Sequence, residues 1–362
     1  MRSLLLAALL AAPLSAGDDA GVIVFKGGPA SAAVPPGARP GQTLWESGPS
    51  EAAVSAFSSV FFQGNMKDPG ISLEASLRAG SSWGPWTAAE LDREPNGRFW
   101  GKFRLSGPAG TRLRVRALHR GAPAGSSFEI YRFEADPVVP EEKPAPQSPP
   151  AAALSAGPSP EIVERPDWRA APPTDAYVSM IPLKISVHHT AAAQPLTLED
   201  AIQEMRVIQR FHQKGRGWID IGYHFLIDGS GRIFRGRPEA AVGAHVRDQN
   251  TGNLGISLMG NFHPPANGAP TAEQIQSLVR LLKWLMPAYA VPASEIRGHR
   301  DQGMTDCPGD HLYAQLEQIR RDAASPAPGG APENPLPPID PPPLLEILEA
   351  VERAARTPPT LR

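Results

Sequence analysis

Residues 297–310 read RGHRDQGMTDCPGD and contain Cys307, the single cysteine of this 362-residue chain, eight positions after His299. Upstream, LKISVHH (183–189) ends in two adjacent histidines, His188 and His189. A thiolate and two imidazoles form a donor set that borderline-soft Zn²⁺ accepts. A closed structural zinc site commonly takes several cysteines, and this chain has no second one to complete it. Three protein ligands leave a fourth position for water, which is the arrangement of a catalytic zinc. The spacing leaves open whether His188 or His189 takes part, and a histidine near a lone cysteine is by itself more often incidental. One cysteine also forbids an intramolecular disulfide, so packed cores must hold the fold.

The elements that must position these residues show in the hydrophobic period. Over residues 162–322 strands alternate with helices, which indicates an α/β domain with a mixed β-sheet flanked by helices. LKISVHH and LGISLMG (254–260) are short apolar strands. TLEDAIQEMRVIQRFH (197–212) opens on the capping pattern Thr197-x-x-Asp200, then sets Ile202, Met205, Ile208 and Phe211 at helical spacing. IDIGYHFLI, DGSG and RIFRGR read as strand, turn and strand, with the turn over Asp228 to Gly231. TAEQIQSLVRLLKWLMPAY (271–289) is a helix with Thr271 and Gln274 as a capping box and Ile275, Leu278, Leu282 and Leu285 on its core face. A last helix begins at Asp310. His224 alternates with Tyr223 along a strand, so it faces the other side of the sheet and reads as a packed residue rather than a fourth ligand. His212, late in its helix, reads as structural.

Residues 21–136 read as a small all-β, sandwich-like domain that precedes the α/β domain. TRLRVRAL (111–118) alternates Leu113, Val115 and Ala117 against arginines, GISLEASL (70–77) aligns Ile71, Leu73, Ala75 and Leu77, and RFWGKFRL (98–105) does so with Phe99, Phe103 and Leu105. Trp83 and Trp86 in SSWGPW read as packing residues, with a carbohydrate platform as the other reading. Proline, at 42 residues, concentrates in two Pro/Ala-rich stretches, 137–161 and 323–343, whose composition is that of semi-rigid linkers. Residues 344–356 form a short amphipathic helix in this reading, with Leu344, Ile347, Leu348 and Val351 inward.

The first 17 residues combine Arg2, an apolar run from Leu4 to Ala12 and small residues at Ser15, Ala16 and Gly17, the layout of a secretory signal peptide. Export to the periplasm or the medium is therefore expected. No stretch is long and apolar enough to predict a membrane span. A formal net charge of −2 gives no basic bias, so nucleic acid is not a suggested partner. A monomer is expected.

The segment 162–321 resembles the peptidoglycan-recognition-protein and type-2 N-acetylmuramoyl-L-alanine amidase family. The stretches that carry the resemblance are ERPDWRA (164–170), VHHTAA (187–192), GWIDIGYHFLID (217–228), GRIFRGR (231–237), AVGAHVRDQNTGNLGISLMGNF (241–262) and RGHRDQGMTDCPGD. They stand in family order over about 160 residues. The resemblance implies His188, His299 and Cys307 as zinc ligands, with Tyr223 assisting catalysis and Thr305 beside the site. It places His245 and Asn253 along a substrate groove and gives His189 an orienting role toward the metal or substrate. Arg237, with Arg235, is a further candidate for meeting stem-peptide carboxylates. The implied partner is peptidoglycan or its muropeptides, and the implied reaction is hydrolysis of the amide between N-acetylmuramic acid and L-alanine. Family members that bind peptidoglycan without cleaving it have lost the cysteine, which this chain keeps. Recognition with little turnover is the alternative function. The disulfide cysteines of the animal members are absent here.

Overall fold

Alternation of apolar and polar residues along 70–77 and 111–118 gives the first part of the fold strands with one inward face. The computed structural model describes residues 22–26, 30–53, 55–135, 159–264 and 266–325. The expected export signal, nearly all of the 137–161 linker, the 323–343 linker beyond Ser325 and the 344–356 helix lie outside these residues. The first ten strands are β1 (Ala30–Ala33), β2 (Thr43–Glu46), β3 (Ser59–Asn65), β4 (Ile71–Ala79), β5 (Ser82–Trp83), β6 (Thr87–Ala88), β7 (Glu90–Arg93), β8 (Arg98–Arg104), β9 (Arg112–His119) and β10 (Ser127–Ala135). They pair in the orders β1-β10-β3-β8-β7 and β2-β9-β4-β5, with β6 also on β4. This is consistent with the all-β segment expected before the α/β part.

One apolar core receives side chains from both sheets: Phe62, Phe99, Phe103 and Phe128 from one, Ile71, Leu73, Leu77, Leu113 and Val115 from the other. The register places Leu73 opposite Ala117 and Leu77 opposite Leu113 on the inner face, so the polar partners Glu74 and Arg116 meet outside and pair at 2.7 Å. On that outer face the Arg114 guanidinium stacks over Trp83 and Trp86, at 4.7 and 4.5 Å from the ring centroids, and Arg116 stacks over Trp86 at 4.2 Å. The two tryptophans are thus packing partners of an arginine-bearing strand face, outside the apolar core.

The α/β part contains β11 (Ile162–Val163), β12 (Lys184–His189), β13 (Phe225–Ile227), β14 (Ile233–Arg235), β15 (Asn253–Leu258) and β16 (Ile296–Gly298). Its helices are α1 (Leu198–Arg210), α2 (Ala272–Tyr289), α3 (Asp310–Tyr313) and α4 (Leu316–Ala324). The mixed sheet runs β11-β14-β13-β15-β12-β16. On one face Val187, Ile227 and Ile256 pack with Leu278, Leu282 and Leu285 of α2 and Leu316 and Ile319 of α4. On the other, Leu226 and Phe234 pack with Ala201, Met205 and Ile208 of α1. The expected caps are present: the Thr197 hydroxyl accepts from the Asp200 N–H, and Thr271 and Gln274 cap each other reciprocally. α4 runs through Ala324, two residues past the expected boundary at 322.

Helix α1 has a second buried face, and it meets the all-β segment. Val207 and Phe211 cluster with Phe61 and Trp100, the Phe61 and Phe211 ring centroids 5.5 Å apart. Glu204, 1% exposed within α1, receives a bidentate ion pair from Arg98 of β8, with the Nη2–Oε1 contact at 2.7 Å. Arg210 pairs with Asp92 at 2.7 Å and with Glu94, and Asn96 donates to Gln203 and Asp200. The two parts fall within one compact unit of the chain.

Candidate metal centre

Parallel pairing of β12 with β16 brings the metal-ligating residue types together. Val187 stands opposite Gly298, so the next residue of each chain segment, His188 and His299, emerges side by side at the carboxyl ends of the strands. Their ring centroids are 4.5 Å apart. The loop after β16 then turns back: Gln302 N–H donates to His299 O and Arg300 N–H donates to Cys307 O, both at 2.9 Å. Cys307 Sγ comes to 3.6 Å from His188 Nδ1, and one donor atom from each of His188, His299 and Cys307 lies within 4.8 Å of the others. All three residues are buried. Zinc–nitrogen bonds of about 2.0–2.1 Å and a zinc–sulfur bond of about 2.3 Å put tetrahedral donors roughly 3.3–3.6 Å apart. The sulfur–nitrogen separation is therefore a zinc-like one, and the donor chemistry fits that ion.

The structure chooses His188 over His189 for this cluster. Strand alternation turns His189 to the opposite face, where its Nδ1 accepts from the Phe262 N–H at 3.2 Å. Its backbone N–H points at Cys307 Sγ from 3.5 Å. Thr305 Oγ1 accepts from the Cys307 N–H at 3.1 Å and so holds the turn that presents the sulfur. The Tyr223 ring centroid is 5.3 Å from that of His188. Burial first, and then the sulfur of Cys307, push the Tyr223 hydroxyl well above the ordinary phenol value, so it stays a neutral proton donor. Behind it, His212 Nδ1 accepts from the Gly222 N–H at 3.0 Å, the structural role expected of His212.

Four residues expected to meet or orient substrate are buried and make contacts within the protein. Arg237 is fully buried, and its guanidinium donates to the carbonyls of Ile221 (2.6 Å), Val242 (2.7 Å) and Asp220 (3.3 Å). Its donors brace the loop before Tyr223, because a buried guanidinium needs acceptors on every side. Asn253 is fully buried too: its Oδ1 accepts from Ser186 Oγ at 2.7 Å, and its Nδ2 donates to Gln249 O and Gln302 Oε1. Gln302 Nε2 donates back to Ser186 Oγ at 2.6 Å, closing a ring of polar side chains beneath the Cys307 loop. His245 is buried against His188 and the Asn253 carbonyl. His189 is the fourth.

His224 is outside the cluster as expected, although for another reason. Tyr223 and His224 precede β13, so strand alternation does not separate them, and both rings lie near His245, at 6.3 and 5.6 Å. What removes His224 is full satisfaction: its Nδ1 accepts from the Gly255 N–H and its Nε2 is 2.8 Å from Ala241 O.

Burial lowers the His224 pKa from 6.5 to about 4, and lowers His188, His212 and His245 well below 6.5. These rings are neutral in the folded protein at neutral pH. Between the two values only the unfolded chain takes up the proton, so stability is complete above pH 6.5 and falls as pH drops toward 4. For His224 the loss is about 3 kcal/mol, at about 1.4 kcal/mol per pH unit. Thermal melts of metal-free protein from pH 7 to pH 4 should show this decline, with a shallower slope in His224→Gln. Equal slopes would contradict the assignment.

The N-acetylmuramoyl-L-alanine amidase family matches residues 179–310. Peptidoglycan-recognition protein SD of Drosophila simulans is 36% identical over 160 residues, which are 43% of this chain and 84% of that protein. The chain belongs to the peptidoglycan-recognition protein and N-acetylmuramoyl-L-alanine amidase family. Within the family, the N-acetylmuramoyl-L-alanine amidase of Sus scrofa is 37% identical over 171 residues, covering 43% of this chain and 27% of that longer protein. The crystal structure of Drosophila peptidoglycan recognition protein SD aligns with 44% of this chain and 95% of its own at 35% identity, with a TM-score of 0.42. No helix among the described residues is long and apolar enough to cross a membrane.

Proposed function

We propose that this chain is a zinc-dependent N-acetylmuramoyl-L-alanine amidase that releases stem peptides from peptidoglycan or its muropeptides. The observation that supports this most directly is the convergence of His188, His299 and Cys307, three buried donors of zinc-compatible type from the ends of two neighbouring strands and one returning loop. A zinc ion held there would polarise the scissile carbonyl and acidify a water. Cys307 is kept in place by the Thr305 hydroxyl and by the Arg300 N–H, and His188 by its contact with His245. Tyr223, held neutral, donates its hydroxyl proton in a hydrogen bond to the oxygen of the lactyl carbonyl as negative charge gathers there. The reading also places the protein outside the cytoplasm, where the expected export signal would deliver it.

Digestion of purified sacculi with zinc-loaded protein tests the proposal. Free stem peptides and peptide-free glycan strands are the expected products. Binding to sacculi without release of any peptide would point to recognition instead. Tyr223→Phe keeps the ring and loses the donor, and kcat should fall about 10²–10³-fold with zinc content unchanged. An unchanged kcat would remove Tyr223 from the reaction.

A further inference from the structure

We propose that His245 is a positioning residue that fixes the tautomer of His188, so that the His188 Nδ1 lone pair faces Cys307. The purpose of this arrangement rests on the zinc reading above, while its geometry does not. Three contacts form a line through two rings. His245 Nε2 lies 3.0 Å from the carbonyl oxygen of Asn253. His245 Nδ1 lies 3.1 Å from His188 Nε2. His188 Nδ1 lies 3.6 Å from Cys307 Sγ.

The carbonyl at the far end decides the polarity of the whole line. A carbonyl oxygen only accepts, so His245 Nε2 carries its proton toward Asn253. In a neutral ring that leaves Nδ1 as the acceptor, and the His188 Nε2–H donates to it. His188 then has its own lone pair on Nδ1, the nitrogen beside the sulfur. The opposite assignment would turn an N–H of His188 toward Cys307 and set the His245 Nε2 lone pair against the lone pairs of the Asn253 oxygen.

Packing prevents His245 from escaping this duty by rotating. A Cβ at Gly255 would lie 2.7 Å from its ring, and one at Gly243 would lie 2.5 Å from it, so the imidazole fills space that these two glycines leave open. Its backbone N–H is held by Asn250 Oδ1 at 2.8 Å. The Asn253 carbonyl belongs to β15, which pairs with β12, the strand of His188, so the anchoring carbonyl and His188 are carried by adjacent strands of one sheet. A metal-ligating histidine needs its second ring nitrogen engaged for the first to be a well-oriented ligand. His245 is that partner for His188, and a backbone oxygen anchors His245 in turn.

Ring ¹H–¹⁵N correlation spectra of the metal-free, ¹⁵N-labelled full chain provide the first test. Both His188 and His245 should be Nε2-protonated tautomers. A His188 ring protonated at Nδ1 overturns the proposal, whatever the enzyme does. His245→Phe keeps the ring volume and removes the acceptor. In it His188 should lose its single-tautomer signature, and zinc affinity measured by chelator competition should drop about 10–100-fold. His245→Gln carries one acceptor and one donor and should recover most of that affinity. Wild-type affinity in His245→Phe overturns the proposal, and if that variant does not fold, the wild-type spectrum and His245→Gln still decide. Wild-type protein with the expected tautomers but no zinc binding would sustain the tautomer assignment and overturn the amidase reading.

Discussion

Cys307→Ser should bind zinc with an affinity lower by orders of magnitude and lose about 10³-fold or more in kcat/KM for stem-peptide release. The effect follows from ligand chemistry. A metal takes the thiolate, and a serine hydroxyl does not ionise near neutral pH to replace it. Loss of one of three protein donors also removes the Lewis acidity that stabilises developing charge, and about 4 kcal/mol of lost stabilisation corresponds to about 10³ in rate. The substitution is nearly isosteric, and the Cys307 backbone contacts with Thr305 and Arg300 do not involve the sulfur. The variant should therefore fold with a melting temperature close to that of metal-free wild type. Elemental analysis of zinc content with the sacculus digestion assay reads both effects. Normal zinc content with full activity would make the ligand assignment wrong.

Arg98→Met should lower the unfolding free energy by about 3–5 kcal/mol. Arg98 and Glu204 are each almost fully buried, and the substitution strands the Glu204 carboxylate in the contact between the all-β segment and α1. An unpaired buried charge costs far more than an intact pair contributes, because nothing replaces the water lost on burial. The double variant Arg98→Met/Glu204→Leu should recover most of the loss. Urea unfolding of the three proteins measures the difference, and a single variant within 1 kcal/mol of wild type would mean that water reaches Glu204. Because the chain runs on from α1 into Phe211, which packs on Phe61, and His212, whose ring is 5.9 Å from that of Tyr223, loosening this contact should also reduce activity.

How much of this could be seen in residue order depends on the range of the interaction. Alternation along TRLRVRAL and GISLEASL specified which side chains point inward, since a strand places neighbours on opposite faces whatever surrounds it. Capping at Thr197 and Thr271 was equally local. Glu204 stands three and seven residues before Val207 and Phe211, so the sequence places a carboxylate on the helix face opposite Ile202, and such a face is buried only if it meets a cation. Nothing local marks Gln302, a loop glutamine whose ring with Ser186 and Asn253 exists only after the Cys307 loop has folded back.

The sequence by itself determined the donor chemistry. A lone Cys307 and histidines at strand ends left zinc as the suitable ion, and the motif order from ERPDWRA to RGHRDQGMTDCPGD carried the family. Tertiary structure decided the assignments that depend on which face of a strand meets which neighbour. It brought His188 rather than His189 to His299 and Cys307, gave the buried Arg237, Asn253 and His245 hydrogen-bond partners within the protein, and joined the all-β segment to α1 through Arg98 and Glu204. Residue types declare which bonds a side chain can make. Only the fold determines whether its partner is substrate, metal or the protein's own backbone, because a buried polar group must take whatever acceptor or donor the packing brings within reach.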